Sequence, residues 1–363
     1  MKNLTLLISL VSFFKLSSQI ISLNLGKLPE RIKESSGLIC GEKNTFWTHN
    51  DGSDSGYIYQ LNSSLEIIKK LRITNSLDND VEEITQDEAH FYINDMGNNR
   101  NERTDLRIYK IAKTDANQLD SIKAELIEFS YEDQDSFPPS KEKMNFDCEA
   151  FFALDSSLYL FSKNRGISGY SKIYRLPKIA GKYIAEIVDS FQTGMWVTGA
   201  AISPSKNQIA ILAGNIIYLV SDFPSNNFSK GKTSKFIVPY SQKEAITFKD
   251  ENTLFLSDER NDSTDGCIYQ IKITDSIRKN HCFQHFYTDP ISTDSVLYFL
   301  NYAFKPLVVE LKIEDINKSE MLKTSLNTRV GRSSKVNFKL KKGRYRIYFS
   351  SEGIHEEYPF NIE

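Results

Sequence analysis

Tyr57-Ile58-Tyr59-Gln60-Leu61 is a phrase that the chain repeats four more times. It returns as Arg107-Ile108-Tyr109-Lys110-Ile111, Lys172-Ile173-Tyr174-Arg175-Leu176, Ile216-Ile217-Tyr218-Leu219-Val220 and Cys267-Ile268-Tyr269-Gln270-Ile271. The central tyrosines are 50, 65, 44 and 51 residues apart. β-branched and aromatic residues alternating between polar turns suit a pleated, buried surface, so each phrase reads as a strand. A period of this size implies one supersecondary unit per repeat.

Two further strands precede each phrase in constant order. The first series is Ser36-Gly37-Leu38-Ile39, Glu82-Glu83-Ile84-Thr85, Glu149-Ala150-Phe151-Phe152, Ala200-Ala201-Ile202-Ser203 and Glu244-Ala245-Ile246-Thr247. The second ends on Asn50, Asp95, Lys163, Leu212 and Asp258. A fourth strand follows most phrases, as in Leu65 to Ile73, Ala124 to Tyr131 and Tyr183 to Phe191. Four strands per unit, repeated radially, describe a β-propeller, and the small residues Gly37, Ala150, Ala200 and Ala245 suit first strands crowded at an axis. The fold expected is therefore all-β: a β-propeller of five four-stranded blades, with six as the alternative, followed by a small C-terminal β-sandwich. Ile21 to Leu25 is placed to close the ring against the last blade, and the polar, proline-rich Glu132 to Asn145 reads as a rim loop.

The composition agrees. The chain has 363 residues, 40% hydrophobic and 12% aromatic, enough for a large core and more than one domain. A formal net charge of -2 gives no bulk basic field, so nucleic acid is not an expected partner. Met1-Lys2-Asn3, the apolar run Leu4 to Phe14 and the polar Lys15 to Gln19 follow the order of a secretory signal peptide, cleaved near Ser18-Gln19. That run is too short to span a bilayer and no later one is longer, so no transmembrane segment is expected. The domains then read as 1–19 signal peptide, 20–288 β-propeller and 289–363 β-sandwich, in a secreted or surface-displayed monomer. Cys40, Cys148, Cys267 and Cys282 are widely spaced, which excludes a zinc ribbon or a thioredoxin-like site. His281 and His285 flank Cys282, but on a strand the cysteine points to the opposite face.

The tail resembles a diverged type IX secretion sorting domain of Bacteroidota. The resemblance rests on Tyr287-x-x-Pro290 and on Lys342-Gly343-Arg344-Tyr345-Arg346-Ile347, where such domains carry a final hairpin. It implies the type IX secretion machinery as a partner. The chain departs from that pattern in its degraded opening phrase and in ending Phe360-Asn361-Ile362-Glu363. An ordinary accessory sandwich is the alternative. Glu34 to Leu38, Trp47 to Asp51, Asp95 to Asn99, Arg103 to Leu106, Asp147 to Phe151 and Val197 to Ala200 resemble phrases of secreted Bacteroidota propellers. That group is similar in outline to esterase-like phytase and gluconolactonase-type propellers, which speaks for fold rather than activity.

The chemical lead is a set of carboxylates expected at the axis. Glu82, Glu149 and Glu244 share the first-strand position, and Asn50, Asp95 and Asp258 stand at second-strand ends. Converging acids repel unless protons or a cation intervene. Oxygen ligands without His or Cys favour a hard ion, so calcium is the expected cofactor, with Glu82, Glu149, Glu244 and Asn50 as ligands. Ion pairing with Lys163, Lys243 or Arg165 is the structural alternative. Two functions follow. The first is a binding module for a ligand or surface protein. The second is a calcium-dependent hydrolase of esters, lactones or phosphoesters, with Asp95 or Asp258 as base and Lys163 or His49 orienting substrate.

Overall fold

The computed structural model describes residues 22–52, 54–238, 241–261, 264–274, 286–288, 296–301, 307–328, 333–351 and 354–362. The expected signal segment, Cys282 with its flanking histidines, and Pro290 lie outside them.

The protein is all-β. Its strands form successive antiparallel units of four. Unit one is Ser35–Cys40, Phe46–Asn50, Tyr57–Leu61 and Ile67–Ile73. Unit two is Ile84–Gln86, His90–Asp95, Arg107–Ala112 and Glu125–Tyr131. Unit three is Cys148–Leu154, Ser157–Ser162, Tyr170–Pro177 and Gly181–Gln192. Unit four is Val197–Ile202, Gln208–Ala213, Ile216–Ser221 and Lys232–Ile237. Unit five is Lys243–Asp250, Thr253–Asp258 and Cys267–Lys272, completed by Ser22–Lys27 from the other end of the chain. In that last pairing Ser22 lies opposite Ile271 and Lys27 opposite Cys267.

Strand alternation explains why the units stack. Successive side chains leave opposite faces, so a unit with apolar residues at both parities must bury both faces. In unit three, Phe151, Leu160 and Tyr174 join a cluster with unit two, while Phe152, Phe161 and Ile173 join one with unit four. Clusters also lie between units four and five, one and two, and five and one. The first strands contact one another in the same cyclic order, the strand at 243–250 meeting the one at 35–40. Gly37 sits where units one and two come closest. A Cβ there would lie 2.4 Å from His49 Nε2 and 2.6 Å from the Ile84 amide nitrogen. Along the outside, parallel pairing of Ile127 to Tyr131 with Gly181 to Ala185 joins units two and three into one eight-stranded sheet.

The recurrent tyrosine does more than pack. Each is the third-strand residue facing the preceding unit; in units one to four its hydroxyl is held where the chain enters that unit, and in unit five at the end of the second strand. Tyr59 donates to Asp54 (2.7 Å) and accepts from Arg31 Nε (2.9 Å). Tyr109 donates to Asp95 (3.0 Å) and accepts the Leu77 amide (2.8 Å). Tyr174 donates to Asp133 (2.9 Å) and Tyr269 to Asp258 (3.0 Å). In unit four Tyr218 donates to the Thr193 carbonyl instead (2.7 Å). The aspartates are neutralised by Arg31, Arg103, Lys172 and Lys243 in turn.

Beyond unit five, a three-stranded sheet (Phe286–Thr288, Val296–Asn301, Ser333–Asn337) and a four-stranded one (Leu307–Asp315, Glu320–Thr328, Gly343–Ser351, Ile354–Ile362) share one apolar cluster. Val336 from the first meets Val309, Leu311, Ile313, Ile347 and Phe349 from the second. Phe286–Thr288 pairs within this C-terminal set, Tyr287 lying opposite Leu300.

Charge-assisted hydrogen bonds are the stronger kind. Tyr109→Phe should therefore cost about 1.5–3 kcal/mol, and Tyr218→Phe, which loses a bond to a neutral carbonyl, about 1 kcal/mol. Urea unfolding of the two variants measures the difference.

Candidate functional site

The entrance to the ring is built by a bulge repeated in its first strands. Register slips between Ser35 and Gly37, Cys148 and Ala150, Val197 and Gly199, and Lys243 and Ala245. Each bulge inserts one extra residue, Ser36, Glu149, Thr198 and Glu244. In unit two Asn94 Oδ1 accepts both the Glu82 (2.8 Å) and Glu83 (2.9 Å) amides, which puts Glu82 in the same place. The equivalent residue of unit four is thus Thr198, two positions before the Ala200 that alignment of the first-strand phrases selects. Likewise Ser162 and Ala213, not Lys163 and Leu212, lie opposite the bulge in units three and four. Which residue faces the bulge is set by strand pairing, which an alignment of apolar phrases does not contain. Bulge residues also link neighbours: Ser36 Oγ donates to Glu82 Oε2 (3.1 Å) and Thr198 Oγ1 to the Lys243 carbonyl (2.8 Å).

The structure divides the expected acids into two groups. Glu149 is paired with the Lys163 ammonium and with Arg165 (3.0 Å). Burial and the nearby Asp147 push its carboxyl up, but two cations in direct contact hold it charged, and Lys163 is itself held charged by Glu149, Glu244 and Glu82. Asp147 accepts from the Asn98 amide and Arg165 Nε, both at 2.6 Å. Glu82 stands with two acids the sequence reading did not select. Carboxylate oxygens of Asp51, Asp80 and Glu82 lie within 4.8 Å of one another, a spacing that fits a hard cation.

Asp51 is pushed up to about 7 by burial, with Asp80 and Glu244 adding to it. Burial with the Glu149 and Asp51 charges raises Glu82 well above the carboxylate range, and burial with Asp147 raises Asp80. Glu244 is raised by burial and countered by Lys163. Glu259, also missed, is pushed up to about 8 by burial, with Glu244, Asp51 and Glu34 adding to it. The signal available was the run Asp80-Val81-Glu82 and the acids following the second strands at Asp51 and Glu259. No pattern in one strand shows that these loops meet.

The remaining candidates are occupied elsewhere. Asn50 accepts the Glu34 amide (3.1 Å) and donates to the Arg31 carbonyl (3.1 Å) and Asp54 (2.7 Å). Asp95 binds Arg103 (2.8 Å) with Oδ1 and Tyr109 with Oδ2. Asp258 accepts the Cys267 amide (2.9 Å) and Tyr269. His49 is wholly buried, its pKa lowered by burial to about 4, and its Nδ1 bonds the Asn50 carbonyl (3.0 Å).

Where four units have Gly37, Ala150, Gly199 or Ala245 after the bulge residue, unit two has Glu83. Its Oε1 accepts the amides of Leu38 (3.3 Å) and Ile84 (3.0 Å), and the Ala200 amide of unit four also faces the carboxyl. Burial raises its pKa well above the usual range, against the amides of Ile84, Leu38 and Ala200, which lower it. Among the described residues Glu83 Oε2, His49 Nε2 and Asn94 Nδ2 are buried without a partner. Glu83 thus spans the axis beneath the acids. On the rim, Trp196 lies under the Arg165 guanidinium (4.5 Å to the ring centre) and near the Lys163 ammonium (5.7 Å).

No protein-family model matches the chain, and no curated protein matches it. Two solved structures are similar in part. One is PorZ, a bacterial surface component of the type-IX secretion system of Porphyromonas gingivalis, at 12% identity and a TM-score of 0.34 over 90% of this chain and 44% of that one. The chain therefore spans less than half the length of PorZ. The other is a chain of the mitotic checkpoint complex, at 10% identity and a TM-score of 0.39 over 76% of this chain and 100% of that one. Likenesses of this size carry no functional argument. Among the described residues no helix is long and apolar enough to cross a membrane.

Glu83→Gln keeps an acceptor oxygen for the Leu38 and Ile84 amides and should change stability by less than about 1 kcal/mol, whereas Glu83→Ala strands two amides and should cost about 2–5 kcal/mol. Chemical denaturation distinguishes them. The raised carboxyls also fix a pH dependence. Folded Asp51 and Glu259 keep protons that the unfolded chain releases near pH 4, so their contribution is full below that pH and lost as pH rises to about 7–8. Unfolding free energy in chelator should therefore fall between pH 5 and 8, and the slope should flatten in Asp51→Asn and Glu259→Gln.

Proposed function

We propose that the five units are the blades of a five-bladed β-propeller, that the two C-terminal sheets form a β-sandwich, and that the protein is an exported binding module whose axial mouth takes a cationic ligand. Cyclic contact of the first strands and completion of unit five by Ser22–Lys27 support the propeller. The observation that carries the function is the convergence of Asp51, Asp80 and Glu82, from loops and strand starts of two units, in one partly solvent-open cluster. Like charges this close in a desolvated site favour whatever neutralises them, a proton or a cation. Calcium is the ion that such an all-oxygen set suits, with waters completing its shell.

Binding is a better reading than hydrolysis. A hydrolase would need a free base beside the ion, and Asp95 and Asp258 have both oxygens engaged in holding tyrosines and connectors. Export rests on the pattern of Met1 to Gln19. A role for the tail in type IX sorting rests on the resemblance of Lys342 to Ile347, and the hairpin of Gly343–Ser351 with Ile354–Ile362 supports it.

Calorimetric titration of the mature chain with calcium chloride should show one ion per chain. Saturation at a hundredfold over Kd adds about 2.7 kcal/mol, or roughly 5–10 °C in Tm. Both effects should vanish in Asp80→Asn and Glu82→Gln. No heat and an unmoved Tm at millimolar calcium would sink the calcium assignment.

A further inference from the structure

We infer that the mouth end of the ring is a docking surface for a basic polypeptide segment, with a lysine or arginine side chain entering among Asp51, Asp80 and Glu82 and its apolar neighbours lying on the rim. This rests on the reading of the mouth as the binding site and names the class of its ligand.

The rim supplies an observation independent of the acids. First strands start, second strands end and third strands start at one end of every unit, because each pair is antiparallel. Connectors between units and loops after second strands therefore all emerge at the mouth. They carry Leu77, Phe137, Ile167 and Trp196, which are 50%, 46%, 76% and 52% exposed. Leu77 lies between units one and two, Phe137 between two and three, Ile167 after the second strand of unit three, and Trp196 between three and four. The Gly169 and Gly194 backbones approach each other, bringing the Ile167 and Trp196 loops together. Exposed apolar side chains occur elsewhere on the units too, but Ile167 and Trp196 stand together beside the Lys163–Glu149 pair, and an apolar patch rimmed by polar groups marks an interaction surface.

Charge decides the occupant. The acids at the centre outnumber the cations there, so a partner that places positive charge on the axis is favoured over a neutral or acidic one. The molecule already contains a version of the contact. The Lys163 ammonium is paired with buried Glu149 and lies near the Trp196 ring, while Arg165 stacks on that ring from the same loop. Those two cations are in contact with Glu149 and Asp147 and act on Asp51 and Glu82 only through space, which leaves the cluster of Asp51, Asp80 and Glu82 for an incoming ammonium or guanidinium. A polypeptide supplies both that charge and the apolar flanks that Ile167 and Trp196 would cover, whereas a metal ion supplies only the charge.

The test immobilises the full mature chain and applies two pools of nine-residue peptides with random flanks, one with lysine at the centre and one with Nε-acetyl-lysine. Retention of the lysine pool at least tenfold above the acetylated pool is expected. The excess should disappear in Asp51→Asn/Asp80→Asn, fall about tenfold in Trp196→Ala, and shrink at high salt; circular dichroism melts confirm that the variants fold. Equal retention of the two pools overturns the inference. If calcium chloride still binds in that case, the mouth remains a cation site and only the peptide assignment fails; if calcium does not bind either, both readings fail.

Discussion

One hydrogen bond recurs at the joints on which the ring depends. A tyrosine hydroxyl, buried by packing against the preceding unit, must find a partner because an unpaired phenol in the interior is costly. It finds one where the chain crosses from one unit to the next. Tyr109 holds the Leu77 amide, Tyr174 reaches Asp133, and Tyr218 takes the Thr193 carbonyl. Apolar burial alone is non-directional and would let adjacent units slide. In units one to four the hydroxyl fixes the entry point of the unit to its neighbour, and so fixes the angle at which that first strand meets the axis.

The mouth inherits its geometry from those joints. First strands set at a constant angle and interrupted by a bulge at the same step present Ser36, Glu82, Glu149, Thr198 and Glu244 toward one another. Three acids in five positions would be intolerable if all were charged and unpaired. Lys163 and Arg165 neutralise the acids of unit three and Lys163 also counters Glu244 of unit five, while Asp51, Asp80 and Glu82 of units one and two stand together. Glu83, a buried acid that reaches the amides of Leu38, Ile84 and Ala200, separates this polar mouth from the packed interior below. The mouth is thereby divided between a half whose acids touch cations and a half whose acids touch one another.

Much of the frame was legible in the chain because strand chemistry is local. The Ile-Tyr phrase, its period and the alternation around it follow from side-chain shape and the pleat, which neighbours in sequence decide. The site was legible only in part. Glu82 could be singled out, but its companions Asp51 and Asp80 stand in loops of two different units. Asp95 and Asp258, attractive as free acids on paper, are held by tyrosines 11 to 14 residues away. The fourth-unit position is Thr198 and not Ala200, since strand pairing, and not the apolar pattern, shows which first-strand residue forms the bulge.

Local sequence determined that the protein is all-β, that its units repeat, and that each must bury two faces, since periodicity and apolar content are properties of short stretches. Tertiary structure alone decided which carboxylates share a site, which tyrosine meets which aspartate, and which acids are neutralised by cations. Those outcomes depend on distances between loops tens of residues apart, and on the loss of water around them. A linear pattern encodes neither.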